Sequence, residues 1–174
     1  KVSDTLTKKI QEARLKGKLL LFHPYSASIH KSMPQSITID LLKEFLFKLE
    51  DYMVISTLQI DPKIKEDNFV DLSKESKNLN DFIYIISQMD EIFTTDTSTY
   101  HISDIFMIQT IVVFTQADYE RKIKYYKYVK PIYIKDESKN LSKFIYENES
   151  LTFYKFESWK KIKINQIIKL LDKF

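Results

Sequence analysis

The spacing of apolar residues changes repeatedly along the chain, and each change marks a boundary between helix and strand. From Asp4 to Lys16, Leu6, Ile10 and Ala13 recur at helical intervals on one side, and the segment ends near Gly17. The apolar run Lys18-Leu-Leu-Leu-Phe-His23 reads as a buried strand that stops at Pro24. Between Ile37 and Leu49 the helical period returns, with Leu41, Leu42, Phe45 and Leu49 on one stripe. Tyr52 to Thr57 is a second strand and Phe69 to Leu72 a short third. A helix follows from about Asn80 to Met89, carrying Phe82, Ile85, Ile86 and Met89. Ile92 to Thr95 forms a fourth strand, and Thr99 to Met107 a short helix. Thr110-Ile-Val-Val-Phe-Thr115 has the strongest β character of any run, and Pro131 to Ile134 makes a sixth strand. A terminal helix is expected from about Trp159, capped by Ser158, with Ile164, Ile167, Ile168, Leu171 and Phe174 on one side.

Short apolar strands alternating with helices predict right-handed βαβ crossovers. The fold class is therefore α/β: a Rossmann-like parallel sheet of about six strands with helices on both faces. The stretches 61–67 and 136–150 are polar and read as loops. No internal repeat and no long linker interrupts the pattern, so residues 1–174 read as one domain.

Composition narrows the chemistry. The 174 residues carry 44% hydrophobic side chains, enough for a core without cross-links. Cysteine is absent, which removes disulfides and thiolate-bound zinc or iron–sulfur sites and fits a reducing compartment. No apolar run approaches the roughly 18–20 residues needed to span a bilayer, and no signal-peptide core opens the sequence. The cytoplasm, with peripheral contact at the inner membrane, is the expected location. The 27 Lys and Arg face 24 Asp and Glu, so the net charge of +3 is a weak polyanion signal. Gly17 is the single glycine. Glycine-rich dinucleotide loops and P-loops need several, which sets aside simple NAD-dependent dehydrogenases and P-loop NTPases. There is no G-x-S-x-G elbow, no H-E-x-x-H and no carboxylate pair that suggests a hydrolase. The histidines are scattered at 23, 30 and 101, and no metal site is expected.

In open parallel sheets, ligands bind beyond the carboxyl ends of the strands, where helix N-termini point. Three such ends carry chemistry: His23 to Pro34 after the first strand, Thr95 to His101 after the fourth, and Thr115 to Asp118 after the fifth. Thr97 and Ser98 fall where the helix N-cap belongs, so their N–H groups and hydroxyls suit an anion, and His101 follows on the first turn. A plain structural account stands beside this one. Ser98 then caps the helix, Asp96 closes a turn, and His101 is an ordinary half-buried histidine. Lys31, near Ser26 and Ser28, offers a point charge for a diphosphate or is simply solvated.

The segment Asp90-Glu-Ile-Phe-Thr-Thr-Asp-Thr-Ser-Thr-Tyr-His-Ile-Ser103, followed by Gln109 to Thr115, resembles the lipopolysaccharide heptosyltransferase family, glycosyltransferase family 9. That family carries D-[ST]-G-x-x-H between a strand and a helix. Ser28-Ile-His-Lys-Ser-Met-Pro34 resembles its K-x-W-P element. The likeness spans residues 18 to 118, and Ser98 and Met33 depart from the family's glycine and tryptophan. The resemblance implies the C-terminal half of a GT-B fold that binds a nucleotide-diphosphate sugar of ADP-heptose type. It further implies transfer to a bacterial surface glycan or another acceptor without metal or other cofactor. Carried over, Lys31 meets the donor diphosphate, and Ser26, Asp96, Thr97, Ser98 and His101 line the phosphates and sugar. The catalytic base belongs to an N-terminal acceptor domain expected to precede Lys1, so the isolated half is expected to bind donor without turnover. The acidic residue for the ribose has Asp61 and Glu66 as alternatives.

Two other readings remain open. Arg121-Lys-Ile-Lys-Tyr-Tyr-Lys-Tyr-Val-Lys130 interleaves cations with tyrosines, as surfaces for anionic membranes or single-stranded nucleic acid do. It also reads as a solvated edge between the fifth and sixth strands, and the balanced charge elsewhere disfavours nucleic acid. A scaffold that kept the fold and lost its chemistry is the third reading, and Ser98 fits it.

Overall fold

The computed structural model describes residues 2–28, 31–116, 118–134 and 156–171. His30, the 136–150 loop and Phe174 lie outside the described residues. The strands are β1 (Lys18–His23), β2 (Tyr52–Ser56), β3 (Phe69–Asp71), β4 (Glu91–Thr95), β5 (Gln109–Phe114) and β6 (Val129–Tyr133). They form one sheet in the order β3-β2-β1-β4-β5-β6, and every neighbouring pair is parallel. Chain order therefore reverses direction between β1 and β4, which opens a crevice at their carboxyl ends.

The helices are α1 (Asp4–Arg14), α2 (Gln35–Lys48), α3 (Leu79–Ser87), α4 (Ser98–Ile105), α5 (Tyr119–Ile123), α6 (Phe156–Trp159) and α7 (Ile164–Leu171). Alternating strand residues face opposite sides, and the helices divide accordingly. Leu20, Phe22, Val54, Phe93, Ile111 and Val113 pack with α2 and α7. Leu19, Leu21, Met53, Ile55 and Ile92 pack with α1 and α3, while Val112 and Phe114 meet Tyr100 of α4. Both faces of the central strands are thus covered, which is why their sequences are continuously apolar instead of alternating. Phe22, Phe45 and Phe93 form a ring triangle with centroids 5.3–5.5 Å apart, at the middle of the first layer.

The connection from β2 to β3 contains no regular helix or strand; Ile60 and Ile64 anchor it to the α2 side of the core. Gly17 sits in the α1–β1 turn, where a Cβ would lie 2.5 Å from the Asp51 carbonyl oxygen. Close approach of backbone, rather than an unusual φ, explains the glycine.

Two elements differ from expectation. The terminal helix is two helices: Ser158 lies inside α6 instead of capping, and a turn at Lys160–Lys161 separates α6 from α7. Trp159 and Ile162 are both buried around that turn, so the chain bends to seat both. The segment after β5 begins with α5 instead of running as an edge, because Tyr119, Ile123 and Tyr126 pack at helical spacing against the Val112 and Phe114 layer. Among the described residues, no helix is long and apolar enough to cross a membrane.

Candidate functional site at the centre of the sheet

The site forms where β1 and β4 end side by side. Their register pairs His23 with Thr94, and the Thr94 hydroxyl donates to the His23 carbonyl at 3.1 Å. Each strand then enters a loop that leads into a helix, α2 after β1 and α4 after β4. The N-terminus of α4 borders the crevice between them, and its macrodipole presents its positive end there.

The β1–α2 loop is folded around Ser32. Its hydroxyl donates toward the carbonyls of Ser26 and Ser28 and accepts from the Ser26 N–H at 2.8 Å. The Ser26 hydroxyl accepts from the Ser28 N–H at 3.3 Å. This knot sets the stretch that carries Lys31. Met33, where the resembling family has tryptophan, is 2% exposed and belongs to the core, so the change is one of packing.

On the other side, Thr97 is the N-cap of α4. It has extended φ and ψ, and its Oγ1 accepts from the Thr99 N–H at 3.1 Å and donates to the Thr99 hydroxyl at 2.8 Å. Ser98 is the first residue of the helix, not its cap, and its φ is negative. A left-handed backbone is not what this position requires. Tyr100 is 1% exposed; burial, with the Asp96 carboxylate beside it, holds the phenol well above its usual pKa, so it stays protonated.

All six residues singled out from the sequence, Ser26, Lys31, Asp96, Thr97, Ser98 and His101, line one cleft of about 540 Å³. The volume is in the range of small-molecule sites. His23 also lines it; burial lowers its pKa to about 4, so its imidazole is neutral, with Nδ1 3.1 Å from the Thr57 hydroxyl. His101 is held below the usual histidine range by desolvation, against which the Asp96 carboxylate pulls upward, while Lys122 and Lys31 push the same way as burial. Its Nδ1 is bonded to the Tyr126 hydroxyl, which leaves Nε2 as the nitrogen for a ligand.

Charge in the cleft is organised around Asp96, which is 6% exposed. Its Oδ2 lies 2.8 Å from the Lys122 ammonium and 3.5 Å from that of Lys31. Lys122 also donates to Gln116 Oε1 and stands 3.7 Å from the Asp118 carboxylate. Asp96 is therefore neutralised within the protein, and Lys31 is not merely a solvated lysine. Lys122 and Tyr126 were missed as site residues because they sit in the basic, aromatic stretch read as a surface edge. The readable signal was the spacing of Tyr119, Ile123 and Tyr126, which places Lys122 on the inner flank of a helix rather than on an edge. Asp61 and Glu66 do not line the cleft. Asp61 accepts the Lys63 N–H and Glu66 the Lys65 N–H within the β2–β3 connection.

No family model matches the chain, and no curated protein matches it by sequence. Solved structures do. The chain is similar to the crystal structure of the glycosyl transferase family 9 from Veillonella parvula DSM 2008, with a TM-score of 0.63 and 12% identity. It is similar to E. coli ADP-heptose lps heptosyltransferase II, with a TM-score of 0.66 and 12% identity. In each case the match covers 99% of this chain and 52% of the other, so the chain spans about half the length of these structures. At this identity the likeness is one of fold: an all-parallel, Rossmann-like α/β sheet of the kind found in these glycosyltransferases.

Proposed function

We propose that the chain is the donor-binding half of a GT-B glycosyltransferase and takes a nucleotide-diphosphate sugar of ADP-heptose type. One observation carries the reading: Lys31 and the Asp96–His101 turn, 65 residues apart in the chain as 96 minus 31, share a single cleft at the point where the strand order reverses. Convergence of a lysine and a helix N-terminus suits a diphosphate. The fold shared with two solved glycosyltransferases supports it.

Glycosyl transfer leaves negative charge on the departing nucleoside diphosphate. The α4 N-terminus, held by the Thr97 cap, and the Ser98 hydroxyl border the space where that charge grows, and the Lys31 ammonium turns to it from Asp96, so stabilisation needs no metal. The neutral His101 imidazole then faces the phosphates and sugar, and the Asp96 carboxylate acts on them through the lysines it pairs. The base that activates the acceptor belongs to a second, N-terminal domain, and the isolated half binds donor without turnover. The acceptor is a bacterial surface glycan or another acceptor, and the protein works in the cytoplasm. For peripheral contact with an anionic inner membrane, the exposed residues Arg121, Lys124, Tyr125 and Lys127 supply cations and an amphipathic ring.

Calorimetric titration of the chain with ADP-, UDP- and GDP-sugars tests the reading. Saturable binding of one of them is expected, with Lys31→Ala weakening it roughly tenfold or more, the worth of a charged hydrogen bond. Binding of single-stranded oligonucleotides that falls steeply with salt, without any sugar nucleotide binding, reverses the reading toward a non-catalytic module. No binding to any of these ligands favours a scaffold.

A further inference from the structure

Asp96 presents one carboxylate oxygen to two ammonium groups, and the two are not equivalent. Lys122 lies at hydrogen-bond distance, 2.8 Å, and is held by Gln116 Oε1 and the Asp118 carboxylate as well. Lys31 lies 3.5 Å away, beyond a good hydrogen bond, and comes from a loop instead of a helix. The Asp96 side chain is 7% exposed, and a carboxylate so buried is strongly destabilised if stripped of its cation.

Resting on the donor reading above, we propose that Lys122 is a positioning residue: it keeps Asp96 neutralised so that Lys31 can leave that carboxylate for the phosphates of an incoming nucleoside diphosphate. No bond is made or broken in this exchange. A salt bridge is traded for a phosphate contact while the buried charge stays paired. Without Lys122, Asp96 draws Lys31 closer, and the ligand must compete with a buried carboxylate for the same ammonium. The cost is then paid in diphosphate affinity rather than in folding alone. Lys122 touches no reacting atom and acts on Lys31 through Asp96.

The arrangement makes an unusual demand, namely that a second loss repairs the first. The test uses whichever of ADP, UDP or GDP the wild-type chain binds most tightly. Lys122→Met is expected to weaken that nucleotide about tenfold, equal to ~1.4 kcal/mol. Lys122→Arg is expected to retain it. The pair Asp96→Asn with Lys122→Met removes the competitor and is expected to recover most of the lost affinity. Melting curves check that each variant folds. If Lys122→Met does not, Lys122→Gln takes its place, since its amide still donates to Asp96 but carries no charge. Unchanged affinity in the single variant overturns the proposal, and so does a double variant no tighter than the single one, which is the mark of a merely structural lysine. If the wild type binds none of the three nucleotides, the donor reading itself falls and this exchange falls with it.

Discussion

At the scale of single residues, two side chains in the cleft separate stability from binding. His23 is buried at the end of β1 and titrates near 4, against 6.5 in an unfolded chain. The native state then binds fewer protons than the unfolded state between those values, so stability rises with pH across that window and is lost as pH falls from 6.5 to 4. The loss is about 3 kcal/mol, and none of it appears above the upper value. Denaturant unfolding at a series of pH values is expected to show this slope, and His23→Gln to flatten it. Ser98 is the second case. Since Thr97 caps α4, the Ser98 hydroxyl is not needed by the helix. Ser98→Ala is expected to leave stability within about 0.5 kcal/mol yet weaken diphosphate binding roughly fivefold, the worth of one hydrogen bond. A drop in stability without a change in binding would return Ser98 to a purely structural role. Six of the lining residues were legible because chemistry at a strand's end depends on local order along the chain. Lys122 was not, because its meaning depends on Asp96, which only the folded sheet brings to it.

At the scale of elements, α4 shows both what a sequence tells and what it withholds. Its position between two β runs is plain, and a Thr or Ser at its start is an ordinary capping signal. Which of Thr97 and Ser98 caps is set by a single backbone angle pair, extended at Thr97. The other end is less ordinary: Met107 adopts φ 57°, a left-handed conformation that glycine usually takes after a helix. Its N–H bonds back to the Asp104 carbonyl, and that of Ile108 to Ser103, which closes the helix. Thr97→Ala is expected to cost ~1 kcal/mol by removing the cap. Met107→Gly is expected to gain about 1 kcal/mol by relieving the strain of that φ. Chemical denaturation measures both, and equal and opposite shifts would locate the helix's stability at its ends. The short α5 and the break between α6 and α7 were the elements least legible. Five residues hold little more than one turn, and a turn that seats Trp159 and Ile162 together leaves the apolar spacing on either side looking continuous.

At the scale of the whole molecule, the alternation of strand and helix announced a parallel sheet, and the sheet is there. Strand order was not legible, since nothing local says whether β4 joins β1 or β3. The β2–β3 connection has no helix, so α3 is the element that must carry the chain back across the other face to the centre. That return is what creates the reversal at β1 and β4, and with it the cleft.

The seam on which the cleft stands joins parts of the chain far apart in sequence; the Thr94–His23 bond alone closes a separation of 71 residues. Contacts of that range cost the most chain freedom to close. The cleft is therefore a feature of the assembled sheet rather than of any fragment. A ligand that occupies it acts as a clasp on the finished sheet and adds to its stability according to its affinity and concentration.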